Sequence, residues 1–162
     1  MKFHFLSSNN PEAKNTEKKL TELFGQNSVE DADYIIPIGG DGLLLKSLHN
    51  FNKLNKPFFG INFGSIGFLM NNLSNENLND MIINAKKSTF KPLKMTAQSV
   101  NNEIFEAYAY NEVSLMRQTH LASKIKIKIN EKVKMEELIC DGVLLSTSAG
   151  STAYNLSAHG SI

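Results

Sequence analysis

The chain has 162 residues, 41% of them hydrophobic and 20% charged, with a formal net charge of +1. This length suits one ordinary domain or two small ones of the soluble globular class, and the near-neutral balance gives no strong field for nucleic acid or an anionic membrane. A single cysteine, Cys140, excludes an intramolecular disulfide framework and suits a reducing compartment. No apolar run approaches the ~18 residues of a membrane span, and Met1 to Leu6 is too short and mixed for a signal peptide, so a cytoplasmic setting is expected.

The first half alternates strand and helix signals. Lys2 to Leu6 reads as a short apolar strand. Asn10-Pro11 reads as an N-cap followed by proline at the first helical position. Ala13, Leu20, Leu23 and Phe24 recur at helical spacing, and Gly25 is placed to end that helix. Tyr34 to Ile38 is a second strand, running into Gly39-Gly40-Asp41-Gly42. Leu43, Leu44, Leu45, Leu48 and Phe51 predict a mostly buried helix. Pro57 to Ile61 is a third strand, feeding the loop Asn62 to Gly67. Glu76 to Lys87 reads as a helix with Leu78, Met81, Ile82 and Ala85 on one face, and the asparagine-rich stretch before it reads as solvated loop. This alternation predicts a parallel sheet covered by helices, a Rossmann-like α/β domain over residues 1–92.

From residue 93 the pattern is mostly strand, which predicts a β-rich domain over 93–162. Ile104 to Val113 is one aromatic and apolar run. Lys124 to Ile129 alternates strictly, predicting one buried and one wet face. Asn130-Glu131 is placed to turn that strand into Lys132 to Leu138 as a hairpin. Leu138 to Ser146 reads as a further strand, and a helix is expected to start at Gly150.

Three glycine-bearing segments follow apolar strands. In Gly39-Gly40-Asp41-Gly42 the glycines allow close backbone approach to a ligand, and a loop entering a helix presents free N–H groups to an anion. A carboxylate there repels phosphate, yet it suits a group that accepts a proton from an attacking hydroxyl or stands near magnesium. A glycine turn with Asp41 capping the next helix satisfies the same pattern. The second segment, Gly60 to Leu69, sets three glycines among aromatics and suits either a loop packed on a flat ligand or a tight connection with Phe63 and Phe68 in the core. The third joins Asp141-Gly142 to five hydroxyl residues, Ser146, Thr147, Ser148, Ser151 and Thr152, around Gly150. It offers hydrogen bonds to phosphate or ribose, beyond what one N-cap needs. Asn111-Glu112 pairs an amide and a carboxylate able to read the edges of adenine or ribose.

Taken in order, these segments resemble the NAD kinase family. Gly39-Gly40-Asp41-Gly42 matches its GGDG motif, Gly60 to Leu69 its second glycine-rich loop, Asn111-Glu112 its NE pair, and Asp141-Gly142 with Gly150 to Tyr154 its DG…GSTAY block. The resemblance implies an α/β domain followed by a β-rich domain, with the site between them. It implies phosphoryl transfer from ATP, another nucleoside triphosphate or polyphosphate to the 2′-hydroxyl of the adenosine ribose of NAD. Asp41 would be the base, and Gly39, Gly40 and Gly42 would form the phosphate loop. Gly42 and Phe68 would border the adenosine, and Asn111 and Glu112 would bond it. Asp141, Thr152, Ala153, Tyr154 and Ser157 would line the rest. Mg2+ would arrive with ATP, and the assembly would be a homodimer or homotetramer. Members continue past the position of Ile162, so the β-rich domain is expected to be incomplete here. Two rivals share features: another GGDG-type kinase acting on a lipid or sugar phosphate, and a non-catalytic NAD-binding fragment.

Other residues carry less. His4, His49, His120 and His159 lack metal-ligand spacing with one another or with Cys140, so no protein metal site is expected. The lysines at 124, 126 and 128 read as a solvated strand face, and Cys140 as a buried small residue.

Overall fold

The computed structural model describes residues 1–65, 67–74 and 77–162. They divide into two compact units, Met1–Ser88 and Thr89–Ile162.

The first unit is a three-stranded parallel sheet in the order β1-β2-β3, formed by β1 (Phe3–Ser7), β2 (Tyr34–Gly39) and β3 (Ile61–Asn62). The third strand is shorter than Pro57 to Ile61 promised; Phe58 makes only an isolated bridge to Ile35. Helix α1 (Pro11–Phe24) begins as its local chemistry dictates: the Asn10 side chain accepts from the Glu12 N–H, and Pro11 takes the first turn. It ends at Gly25, whose φ of 76° is one that glycine adopts without strain. Ala13 and Leu20 are buried, and Phe24 meets Phe3 edge-on at 5.5 Å between ring centres. Leu23, expected on the same face, is 75% exposed.

Helix α2 (Asp41–Phe51) buries Leu44 and Ser47, while Leu43, Leu45, Leu48 and Phe51 are only half-buried. It is therefore less buried than its leucines suggest. Helix α3 (Leu78–Asn84) is capped by the Asn77 side chain and buries Leu78 and Ile82. It ends before Ala85, and Glu76, expected to open it, lies outside the described residues. The core gathers Phe3, Phe5, Ile36, Ile38, Phe59 and Ile61 from the sheet with Ala13, Leu20, Leu78 and Ile82 from the helices.

The second unit is built from antiparallel pairs. Strand β4 (Leu93–Gln98) pairs with β5 (Ile104–Ala109), β6 (Glu112–Met116) with β9 (Gly142–Ser146), and β7 (Ser123–Ile129) with β8 (Lys132–Cys140). The run Ile104 to Val113 is thus two strands, broken at Tyr110-Asn111. Leu138 to Ser146 is likewise two, broken at Asp141. In both cases the chain changes partner at the break. Asn130 and Glu131 turn the β7–β8 hairpin with φ of 48° and 62°, the left-handed pair that a two-residue hairpin turn requires.

On β7 the lysines face solvent, and Lys124 and Lys126 pair with Glu137 and Glu136 across the hairpin at 3.2 and 2.7 Å. The isoleucine face is not buried as expected: Ile125 and Ile127 are half-buried and Ile129 exposed. Strands β7 and β8 pair only with each other among the described strands, and a strand pair needs a second layer to bury a face. Cys140 is half-buried rather than buried. The chain closes with a 3-10 turn (Ala149–Thr152) and α4 (Tyr154–Ser157), shorter than a helix starting at Gly150 suggests. No helix among the described residues is long and apolar enough to cross a membrane.

Candidate functional site

Each unit carries its own cluster of the residues singled out above. In the first unit the three parallel strands send their carboxyl ends to one edge of the sheet, where open α/β sheets bind ligands. Two loops meet there, the one after β2 and the one after β3. The Phe63 N–H donates to the Gly39 carbonyl at 2.7 Å. A side chain at Gly64 would stand 3.0 Å from the Cα of Gly40, so the loops touch backbone to backbone.

Asp41 opens α2, and its carboxylate is claimed by the second loop. One oxygen accepts the Phe68 N–H at 2.9 Å and the other the Leu69 N–H at 3.2 Å. A side chain at Gly67 would come within 2.9 Å of an Asp41 oxygen, so glycine there leaves the carboxylate its place. Asp41 is therefore not the cap of its own helix: the N-cap position is Gly40, with no side-chain bond. Gly42 differs from its neighbours. Among the described residues nothing lies within 4 Å of where its side chain would be. Packing explains Gly64 and Gly67 but not Gly42. Phe68 stands 70% exposed beside the carboxylate it helps hold, rather than in the core.

In the second unit Asn111 and Glu112 lie where β5 gives way to β6. The Asn111 carbonyl accepts the Thr147 N–H at 2.8 Å. The Thr147 hydroxyl donates to the Tyr110 carbonyl at 2.6 Å and accepts the Gly150 N–H at 3.0 Å. Gly150 is buried so closely against Asn111 that an added side chain would stand 2.5 Å from its carbonyl carbon. The hydroxyl-rich segment is thus locked onto the Asn-Glu pair. Glu112 Oε2 is buried without a hydrogen-bond partner among the described residues, a costly state that a ligand donor would relieve. Tyr110 beside them is 8% exposed, and burial pushes its phenol above the ordinary range.

Asp141 and Tyr154 line one groove of about 280 Å³ with Ser114, Met116 and Ala158. Asp141 forms an ion pair there, accepting from Arg117 Nε at 2.6 Å, and its carbonyl accepts the Arg117 N–H at 2.9 Å. Arg117 also donates to the Thr119 carbonyl. Thr152 ends the 3-10 turn, Ala153 caps α4 and Ser157 ends it. Sequence reasoning missed Arg117 and read Asn10 only as a helix cap, without its bond to the Phe63 carbonyl. Arg117 lies 24 residues from the partner that gives it meaning, and no local pattern signals such a pair.

Two family models match: the ATP-NAD kinase N-terminal domain over residues 1–84 and the ATP-NAD kinase C-terminal domain over 110–162. Among curated relatives, the NAD kinase of Brucella suis is 48% identical over 159 residues, and that of Rhizobium meliloti 46% identical over 158. The alignments cover 98% of this chain and 62% of each relative. The chain thus spans under two thirds of these relatives' length. Among solved structures, an NAD kinase from Archaeoglobus fulgidus in complex with ATP superposes with a TM-score of 0.65 at 27% identity, over 99% of this chain and 66% of that one. A yeast NADH kinase complexed with NADH shares the fold at 0.72 and 21% identity, over 100% and 62%. The interlocked glycine loops and the paired Asn111 and Gly150 segments thus fall within the two matched domains, and the chain belongs to the NAD kinase family.

Proposed function

We propose that this chain supplies phosphoryl-transfer and dinucleotide-binding residues of an NAD kinase, which moves the γ-phosphoryl group of ATP to the 2′-hydroxyl of the adenosine ribose of NAD. The observation that carries the reading is the Asp41 carboxylate, held by two backbone amides of the facing glycine loop at the head of α2. Such transfer asks the protein chiefly for positioning, and a fixed carboxylate serves as proton acceptor. The 2′-O–H bond breaks, its proton passes to Asp41, the new O–P bond forms and ADP leaves. Asp41 then returns the proton to solvent.

Gly42 and Phe68 border the adenosine, one by leaving open space and the other by its exposed ring. Asn111 and Glu112 bond it; the unpartnered Glu112 oxygen suits a ribose hydroxyl or an amino donor. Asp141, Thr152, Ala153, Tyr154 and Ser157 line the remaining dinucleotide contacts. Gly39, Gly40 and Gly42 face the transferred phosphate. Magnesium enters as part of the MgATP substrate, keeping phosphate and water ligands. Another nucleoside triphosphate or polyphosphate is an alternative donor. The reading carries with it a cytoplasmic setting and a homodimer or homotetramer, and the exposed apolar side chains of Leu115, Met116 and Leu145 suit burial between copies.

The test uses the full-length gene product with NAD and MgATP, and an NADP-specific dehydrogenase as reporter. Asp41→Asn is expected to lower turnover by about 10²–10⁴, the range for a lost general base, while NAD still binds. Near-wild-type turnover in that variant removes Asp41 from the base role. Faster phosphorylation of a lipid or sugar phosphate than of NAD would point instead to another GGDG-type kinase.

A further inference from the structure

Helix α1 carries a side chain that does two jobs at the loop edge of the sheet. The Asn10 amide oxygen accepts the Glu12 N–H at 2.8 Å, which fixes the amide's orientation. Its nitrogen then faces the Phe63 carbonyl and donates to it at 3.3 Å. Phe63 is held on its other side as well, since its own N–H donates to Gly39. The second glycine loop is thus pinned at one end by Asn10 and the β2 end, and at the other it holds Asp41 through Phe68 and Leu69. Phe63 packs against the core of the first unit, whereas Gly64, Ser65 and Phe68 are exposed, so hydrogen bonds carry the hold on that exposed part of the loop.

We propose that Asn10 is a positioning residue for phosphoryl transfer: it latches the second glycine loop to α1 and so sets the orientation of the Asp41 carboxylate. This deepens the NAD kinase reading and rests on it. Asn10 touches no reacting atom; it acts through Phe63 and the loop. The cap and the latch are chemically separable. Aspartate and serine both cap helices about as well as asparagine, but neither carries an N–H to give to Phe63. Aspartate adds repulsion toward that carbonyl.

The experiment compares Asn10→Asp and Asn10→Ser with wild type in the full-length protein. Three quantities are read: the melting temperature, kcat and KM for NAD with saturating MgATP, and the amide resonances of Phe68 and Leu69, which report their bonds to Asp41. The expected result is melting close to wild type, displaced resonances of both amides, and kcat reduced about 10-fold, a part of the 10²-fold that a 1 Å misplacement can cost. KM for NAD should change much less. Unmoved amide resonances in both variants overturn the latch, whatever happens to kcat or melting, because Asn10 is then a cap alone. Displaced amides with unchanged kcat overturn the positioning role. A wild type that makes no NADP from NAD and MgATP overturns the kinase reading, and the amide resonances still decide the latch by themselves.

Discussion

Replacing Gly150 with alanine sets two physical effects against each other with opposite signs. Gly150 sits in the 3-10 turn Ala149–Thr152, and local propensity alone favours alanine over glycine in a helical segment by up to about 1 kcal/mol. The tertiary contact says the reverse. The added methyl would lie 2.5 Å from the Asn111 carbonyl carbon and 2.7 Å from its Cα, where ordinary contact begins near 3.4 Å. Both neighbours are backbone, so neither can swing away; the two segments must part by roughly 1 Å. That strains the Thr147 N–H bond to Asn111 and the Gly150 N–H bond to Thr147, each contributing about 1 kcal/mol. Overpacking of this kind costs about 1–3 kcal/mol. A net loss near ~2 kcal/mol lowers the melting temperature of a chain of the relatives' size by about 4–8 °C. Thermal unfolding of the full-length Gly150→Ala protein, with KM for NAD measured beside it, is the assay. We expect lower melting and a raised KM, because Asn111 and Glu112 move with the strained backbone. An unchanged or higher melting temperature with wild-type KM would show that propensity wins and that Gly150 does not seat the Asn-Glu pair.

Other outcomes follow from single observations. Gly42→Ala meets open space, so it should stabilise the fold by up to about 1 kcal/mol through helix propensity while raising KM for NAD; improved stability with untouched kinetics would sever Gly42 from the ligand. Tyr110 has its phenol pushed up by burial. A group whose folded pKa is raised adds stability that is whole below its unfolded value, about 10 for tyrosine, and lost as pH climbs through the folded one. One of the four tyrosines should therefore ionise late in an alkaline absorbance titration, and Tyr110→Phe should abolish that late step; persistence of the step in the variant assigns it elsewhere.

Local chemistry was the most legible layer of the sequence. Asn10-Pro11, Gly25 and the Asn130-Glu131 turn act within a few residues of themselves, and the structure has each where its chemistry asks. Leu23 shows where local reading stops. At about 100° per residue, Ala13, Leu20 and Phe24 share an arc of about 40° on α1, while Leu23 lies about 80° away, beyond the buried stripe. The runs Ile104 to Val113 and Leu138 to Ser146 looked continuous because an apolar run is blind to a change of partner. Tyr110-Asn111 and Asp141 mark such changes, and the expected site residues sit at them. The glycines carried a similar ambiguity. A glycine needed for another loop and a glycine needed for a ligand look alike in sequence. Gly64 and Gly67 are explained by Gly40 and Asp41, contacts spanning 24 to 26 residues, and Gly42 by nothing among the described residues.

The loops around Asp41 also bear on how the chain is made. Asn10, Gly39, Phe63, Phe68 and Leu69 all leave the ribosome before Thr89, the first residue of the second unit. Domains tend to fold as units in order of synthesis. The Asp41 carboxylate can thus be assembled, oriented and hydrogen-bonded on the nascent chain while the Asn111–Gly150 contact does not yet exist. A fault in the second unit would then strand an already positioned Asp41 carboxylate, whereas a fault in the first would leave none to strand.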